Sequence, residues 1–149
     1  VNKTLPLTSR SLPILLIRAR EAVMAPIRSM LADSGLTEQQ WRVLRVLSEY
    51  GPQDTTDVAD RASLLLPSLS RILRTMTEKG LITRQQHDGD RRRQILMITP
   101  AGQAVIDENI AEAAAIADAI KARLGDENYE ALLDLLDLVT AEQKSQTSK

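Results

Sequence analysis

The chain has 149 residues, a formal net charge of −1, no cysteine and one histidine, with 43% hydrophobic and 26% charged residues, which is the make-up of an ordinary globular domain. Without cysteine there is no disulfide framework, thiolate metal site or thiol chemistry, and a single histidine rules out a multi-histidine metal site and argues against a hydroxyl–imidazole triad. Aromatics are 2% of the chain, too few for a stacking platform on single-stranded nucleic acid.

The small net charge hides a segregation. Residues 1–30 carry five basic residues against one acidic, and residues 31–60 two against six. Residues 61–93 carry eight basic residues against three acidic, whereas residues 107–137 carry nine acidic against two basic. A basic middle and an acidic C-terminal third suit different tasks.

Taken in chain order, the first helix is predicted over about Ser11 to Ala32, where Leu12, Leu15, Leu16, Ala19, Val23, Ile27, Met30 and Leu31 recur at three-to-four spacing. Pro26 is expected to kink it. Its run Ile14-Leu15-Leu16-Ile17 is followed at once by Arg18 and Arg20. That is far short of the roughly 18 apolar residues a membrane span needs, so a cytoplasmic protein is expected. Thr37-Glu38-Gln39-Gln40 reads as a capping box before Trp41, Leu44 and Leu47, and Gly51-Pro52 stops this second helix. Thr55 or Thr56 is expected to cap a short third helix burying Val58, Ala59 and Ala62.

Pro67 opens a fourth helix with Leu69, Ile72, Leu73 and Met76 facing inward. Pro67, Arg71, Arg74 and Glu78 lie opposite, flanked by Ser68, Ser70 and Thr75, and Lys79-Gly80 ends it. Leu81–Gln86 and Gln94–Thr99 read as strands joined by His87–Arg93, a hairpin with a mobile basic tip around Asp88-Gly89. After Thr99-Pro100 a long helix places Ile106, Ile110, Ala113, Ala117, Ile120 and Leu124 on one face and ends at Gly125. A last helix presents Tyr129, Leu132, Leu133, Leu136 and Val139, and Ser145–Lys149 is expected to fray. The third and fourth helices with the hairpin match a winged helix-turn-helix, in a mainly α fold with a small β-hairpin wing.

A helix that reads duplex DNA needs one apolar face anchored to its domain and an opposite face long enough to reach base edges. Residues 67–78 supply both. Arg71 and Arg74 can each bond a guanine bidentately, a contact worth about 1–3 kcal/mol of discrimination, while Ser68, Ser70 and Thr75 can meet bases or phosphates. The helix starts at Thr55/Thr56 and Pro67/Ser68 offer backbone N–H groups to phosphates. The plainer alternative is a solvated helix face. Three consecutive arginines, Arg91, Arg92 and Arg93, repel one another and serve no core, but gain from the potential of a narrow minor groove. Asp90 is expected to hold Arg92 by a local ion pair, freeing Arg91 or Arg93 for the backbone. His87 reads as a solvated polar residue rather than a ligand or base.

The terminal helices carry more apolar surface than a small helix-turn-helix core can cover, so a two-fold homodimer is expected, with half-sites about 10–10.5 bp apart or a multiple of it. The expected layout is an N-terminal dimerisation helix at 1–35, a DNA-binding lobe at 36–100 and C-terminal dimerisation helices and tail at 101–149. No nucleophile–base pair or phosphate loop is present, so neither an enzyme nor a cofactor is expected. A helical module that uses the basic hairpin to bind an acidic protein is the competing reading.

Over nearly its whole length the chain resembles the MarR family of winged-helix regulators. The resemblance is carried by Leu36-Thr37-Glu38-Gln39-Gln40-Trp41-Arg42-Val43-Leu44, Val58-Ala59, Pro67-Ser68-Leu69-Ser70-Arg71, Glu78-Lys79-Gly80-Leu81-Ile82, Asp90-Arg91-Arg92 and Leu96-Met97-Ile98-Thr99-Pro100-Ala101-Gly102. Leu15-Leu16, Ala19-Arg20-Glu21-Ala22 and Met24 ahead of Thr37–Arg42 are similar to the homoprotocatechuate-degradation branch. The resemblance implies a dimer that represses an aromatic-acid catabolic operon and is released from double-stranded DNA by a small phenolic carboxylate. A regulator of multidrug or stress response is the alternative within the family. The family usually has Ser or Pro where this chain has Leu65-Leu66, which leaves the fourth helix without a polar N-cap.

In such regulators the effector lies between the dimerisation helices and the lobe, which implicates Arg18, Arg20, Trp41 and Arg45, with Ser11 for a phenolic hydroxyl. An arginine can grip a carboxylate and Trp41 can pack an aromatic ring. Trp41 as a core residue, and Arg18 and Arg20 as partners of Glu21 or of a second copy, stand as equal alternatives.

Overall fold

The computed structural model describes residues 4–147, with the side chains of Arg91 and of residues 142–147 outside the description. The chain divides into two units, residues 1–113 and 114–149.

In the first unit a 3-10 turn (Thr8–Arg10) leads into α1 (Leu12–Leu31), which stays helical through Pro26. A second 3-10 turn, Ala32–Ser34, closes on Gly35, whose φ of 66° is the left-handed conformation that favours glycine. α2 (Glu38–Tyr50) starts with the predicted capping box: Thr37 Oγ1 accepts from Gln40 N and Gln40 Oε1 from Thr37 N, both at 3.1 Å. It ends at Gly51 (φ 77°), as Gly51-Pro52 indicated.

Next come β1 (Gln53–Asp54) and α3 (Thr55–Ala62). The N-cap of α3 is neither Thr55 nor Thr56. Asp54 holds that position, with Oδ1 accepting from Asp57 N at 2.9 Å. Aspartate caps at least as well as threonine, and at Asp54 the backbone is already extended by pairing with the sheet. Gln53 is buried and its amide donates to Val46 O (3.2 Å) and Gly51 O (3.0 Å), so a polar side chain ties β1 to the end of α2 without an orphan donor.

α4 (Leu66–Glu78) follows a turn at Ser63, whose φ of 53° is positive. Its N-cap is Leu65, which makes no side-chain cap bond, in line with the missing polar residue. Lys79 and Gly80 (φ 73°) end it as predicted.

β2 (Ile82–His87) and β3 (Asp90–Ile98) form the wing. β2 keeps its expected length one residue further on, β3 starts four residues earlier than the sequence suggests, and only Asp88 and Gly89 lie between them. Arg91, Arg92 and Arg93 are therefore strand residues and not part of a loose tip. A run of like charges lacks the alternation by which strands are read, yet backbone pairing of Gln86 with Gln94 and His87 with Asp90, across a register shift, carries the ladder outward. The sheet has a third member unseen in the sequence, since Gln53 and Asp54 pair antiparallel with Leu96 and Ile95, giving the order β1-β3-β2.

α5 (Pro100–Leu124) begins where Thr99 Oγ1 accepts from Gly102 N at 3.1 Å and donates to Gly80 O at 2.6 Å. The core of the first unit is built from Leu31, Val43, Leu44, Leu47, Val58, Leu69, Leu73, Met76, Ile82 and Leu96, all below 2% exposed or at that mark. Burying each such side chain is worth about 1.5–3 kcal/mol. This core fixes α2, α3, α4 and the sheet as one body.

In the second unit α6 (Asp126–Thr147) follows Gly125 (φ 85°). Ser145–Thr147 are helical, contrary to the expected fraying, and Ser148 and Lys149 lie outside the described residues. Lys121 Nζ sits 5.8 Å from the Tyr129 ring centre. Leu132, Leu133, Leu135, Leu136, Leu138 and Val139 are 38–68% exposed. Among the described residues no helix is long and apolar enough to cross a membrane.

Candidate nucleic-acid interface

The core decides which side of α4 faces out. Leu69, Leu73 and Met76 are at most 2% exposed and Ile72 is half-buried, so Pro67, Ser70, Arg71, Arg74 and Glu78 are turned to solvent with Ser68 and Thr75 at the margins. The Thr75 hydroxyl donates back to Arg71 O at 3.3 Å, leaving an oxygen lone pair rather than its proton for a partner.

Two arginines outside the helix-turn-helix brace α4, and neither was singled out by its position in the sequence. Arg42 of α2 donates to Ser63 O in the turn before α4, and Arg84 of β2 donates to Ser70 O in its first turns, each at 3.4 Å. Both Nε groups are buried without a partner. These long bonds orient α4 from two sides. Nothing in the local pattern announces them, because each pair joins residues distant in sequence.

Two hollows flank the helix. One of about 220 Å³ is lined by Thr55, Leu66, Leu69, Ser70, Leu73, Arg92 and Gln94, and brings three predicted contact residues, Thr55, Ser70 and Arg92, to one place. The other, of about 410 Å³, runs between α2 and α4 past Thr37, Arg42, Ser68, Arg71 and Thr75. Thr56 is exposed in the first turn of α3.

The wing arginines differ from the sequence expectation. Asp90 Oδ1 accepts from the backbone N–H of Arg92 at 3.0 Å instead of holding its guanidinium, because the short side chain reaches the amide two residues on. The Arg92 side chain is exposed. Of the two wing arginines whose side chains are described, Arg93 has a fixed partner: its Nη2 donates to Asp54 Oδ2 at 2.7 Å. The Asp57 backbone N–H and then Arg93 hold the Asp54 carboxyl below its ordinary range, and Asp54 in turn raises Arg93. The side chain of Arg91 lies outside the described residues.

The candidate effector residues are dispersed. Trp41 is 4% exposed and packed in the core. Arg18 and Arg45 are exposed, and Ser11, half-buried, is the N-cap of α1 but makes no cap bond. Arg20 pairs with Glu38, and Glu21 pairs with Arg28, so Arg20 does make an ion pair, as one of the alternatives had it, but from α1 to the start of α2 and not with Glu21. Glu38 is largely buried while Glu21 lies in water, and the buried carboxylate gains more from a cation. None of the five lines either hollow. Among the described residues there is no cluster of His, Cys, Asp or Glu able to hold a metal ion.

An apolar-anchored helix with exposed arginines, set behind a capped short helix and beside a basic two-stranded wing, defines a winged helix-turn-helix DNA-binding protein. Residues 36–93 match the MarR family model. The chain is 40% identical over 126 residues to the HTH-type transcriptional regulator FarR of Neisseria gonorrhoeae, covering 85% of this chain and 86% of that one. It is 37% identical over 127 residues to the homoprotocatechuate degradative operon repressor of Escherichia coli, with coverage of 85% and 86%. The crystal structure of NadR in complex with 4-hydroxyphenylacetate is similar with a TM-score of 0.78 at 37% identity, over 92% of this chain and 97% of that one. The chain belongs to the MarR family, in the branch of the homoprotocatechuate repressor. It is a DNA-binding transcriptional repressor and not an enzyme.

Proposed function

We propose that this protein acts in the cytoplasm as a homodimer on a pseudo-palindromic operator of an aromatic-acid catabolic operon, and that a small phenolic carboxylate releases it. The observation that carries the reading is the two-sidedness of α4: Leu69, Leu73 and Met76 at most 2% exposed, with Arg71 and Arg74 on the solvent side. Arg71 and Arg74 read base edges in the major groove, Thr55, Thr56, Pro67, Ser68, Ser70 and Thr75 meet phosphates or bases, and Arg92 enters the minor groove.

Exposed apolar surface in each unit supports the dimer. Leu12, Leu15, Leu16 and Ile17 in the first unit, and Leu132, Leu135 and Leu138 in the second, are 37–69% exposed. Clustered leucines on helices call for a covering surface, and a second copy supplies one related by two-fold symmetry.

The effector class is supported by the Escherichia coli repressor of homoprotocatechuate degradation and by NadR, which was solved with 4-hydroxyphenylacetate. In this chain Arg20 is already committed to Glu38, so Arg18 and Arg45 are the exposed cations for a carboxylate, with Ser11 for the phenolic hydroxyl. Trp41 meets the ring only if effector binding opens the packing around it. The effector favours a spacing of the two lobes that no longer matches successive grooves.

Fluorescence anisotropy against the intergenic DNA upstream of the gene, beside a scrambled duplex of equal length, tests the DNA half of the proposal. Salt-sensitive, sequence-preferring binding with a stoichiometry of two chains per duplex is expected. Equal affinity for both duplexes would refute it.

A further inference from the structure

We infer that Asp54 and Arg93 form a strut that sets the wing against the helix-turn-helix, so that Arg93 is a positioning residue and Arg92, its neighbour, carries the wing's charge to DNA. The inference rests on the DNA-binding reading above and deepens it.

Asp54 joins three elements at once. Its backbone pairs with Ile95 of β3, its Oδ1 caps α3 through Asp57 N (2.9 Å), and its Oδ2 accepts from Arg93 Nη2 (2.7 Å). The two carboxylate oxygens thus serve different elements. One holds the start of the helix-turn-helix and the other holds the wing strand. The Asp54 side chain is only 16% exposed, while that of Arg93 is 51% exposed. The carboxylate is therefore the fixed end and the guanidinium the arm it restrains. Arg91, Arg92 and Arg93 fall within the register shift between β2 and β3 and have no partner on β2, so the ladder alone does not fix the Arg92 and Arg93 side chains. Arg92 instead lines, with Gln94, the hollow bounded by Thr55, Leu66 and Ser70 of the helix-turn-helix. A hairpin two strands wide, left alone, is at best marginally stable. The third strand β1 and this strut fix its base.

The alternative is that Arg93 itself neutralises a phosphate, in which case Asp54 competes with DNA for it. The two accounts give opposite signs. The full-length protein is titrated by anisotropy on a labelled duplex of its upstream intergenic DNA, over a salt series, as wild type, Asp54→Asn, Arg93→Gln, the double variant and Arg92→Gln. Asparagine keeps the cap on α3. The strut predicts that Asp54→Asn and Arg93→Gln each weaken binding about 3–10-fold, that the double variant is no worse than either, and that the slope of log K against log salt is unchanged. Arg92→Gln lowers that slope by about 0.9. If Asp54→Asn tightens binding, or Arg93→Gln lowers the slope by the same amount as Arg92→Gln, the strut is overturned.

A readout without DNA separates this from the regulator reading. Amide hydrogen exchange at residues 92–96 is expected to quicken in both Asp54→Asn and Arg93→Gln, with exchange in α2 unaltered. Unchanged exchange across the wing overturns the strut. Absence of DNA binding by the wild type counts against the regulator reading instead, and the exchange arm then decides the strut alone.

Discussion

Arg20, in the middle of α1, is ion-paired with Glu38, the first residue of α2, across a separation of 18 residues. Arg28 approaches the other Glu38 oxygen at 3.5 Å and also pairs with Glu21. One largely buried carboxylate therefore fastens the first helix to the helix that leads into the DNA-binding core.

This arrangement carries a pH dependence. Chiefly the Arg20 hydrogen bond holds the Glu38 carboxyl below its ordinary value of 4.5, against the opposing effect of burial. A carboxyl whose folded value is depressed stabilises the fold above its unfolded value, and the contribution is lost as pH falls through the folded one. Glu38→Gln is expected to cost about 1 kcal/mol at neutral pH, a figure kept low because Arg20 is half in water. The gap to wild type should close as the pH is lowered below 4.5. Denaturant unfolding at several pH values checks this, and a gap independent of pH would remove the ion pair as its cause.

Gly102 is a place where helix propensity and packing oppose each other. Alanine is favoured over glycine inside a helix by about 1 kcal/mol. A Cβ at Gly102, however, would lie 2.3 Å from Leu81 O and 2.8 Å from Ile98 Cγ1. The first is a backbone atom that cannot swing away, so overpacking, at about 1–3 kcal/mol, should win. Gly102→Ala is expected to lower the urea midpoint without changing the slope m.

The start of α4 lacks a cap and can be given one. Leu65 is 76% exposed at the N-cap position, so little buried apolar surface is lost on replacing it. Leu65→Ser, by accepting from a free amide of the first turn, should stabilise the protein by about 0.5–1 kcal/mol. A thermal melt should show a rise of about 1–4 °C, and a fall would mean that Leu65 packs against something in the assembled protein.

Much of this architecture was readable one segment at a time. The Thr37–Gln40 box, the Gly51 and Gly80 stops and the inward stripe of α4 are local, and each is specified within a few residues. What escaped was non-local or ambiguous at short range. β1 is two residues long and exists only through its pairing with Leu96 and Ile95. Asp54 and Arg93 are 39 residues apart, and Arg42 reaches Ser63 across 21. The three wing arginines read as a loop because charge runs carry no strand period. The choice of Asp54 over Thr55 or Thr56 as cap was set by the sheet, which the local sequence does not display.

The two kinds of arginine should separate in binding experiments. Arg71→Ala is expected to relax sequence preference at one operator position by about 1–3 kcal/mol. Arg92→Ala should weaken cognate and scrambled DNA alike and lower the salt slope by about 0.9. Competition anisotropy with both duplexes separates these outcomes, and identical effects of the two changes would contradict the division between base-reading helix and groove-seeking wing.

The most direct test of the account is the affinity of the full-length protein for its upstream intergenic DNA, measured with and without saturating 4-hydroxyphenylacetate. A coupling of about 1–3 kcal/mol predicts that the aromatic acid weakens binding roughly 5–150-fold. Sequence-preferring binding that 4-hydroxyphenylacetate and a series of related phenolic carboxylates all leave unaltered would contradict it.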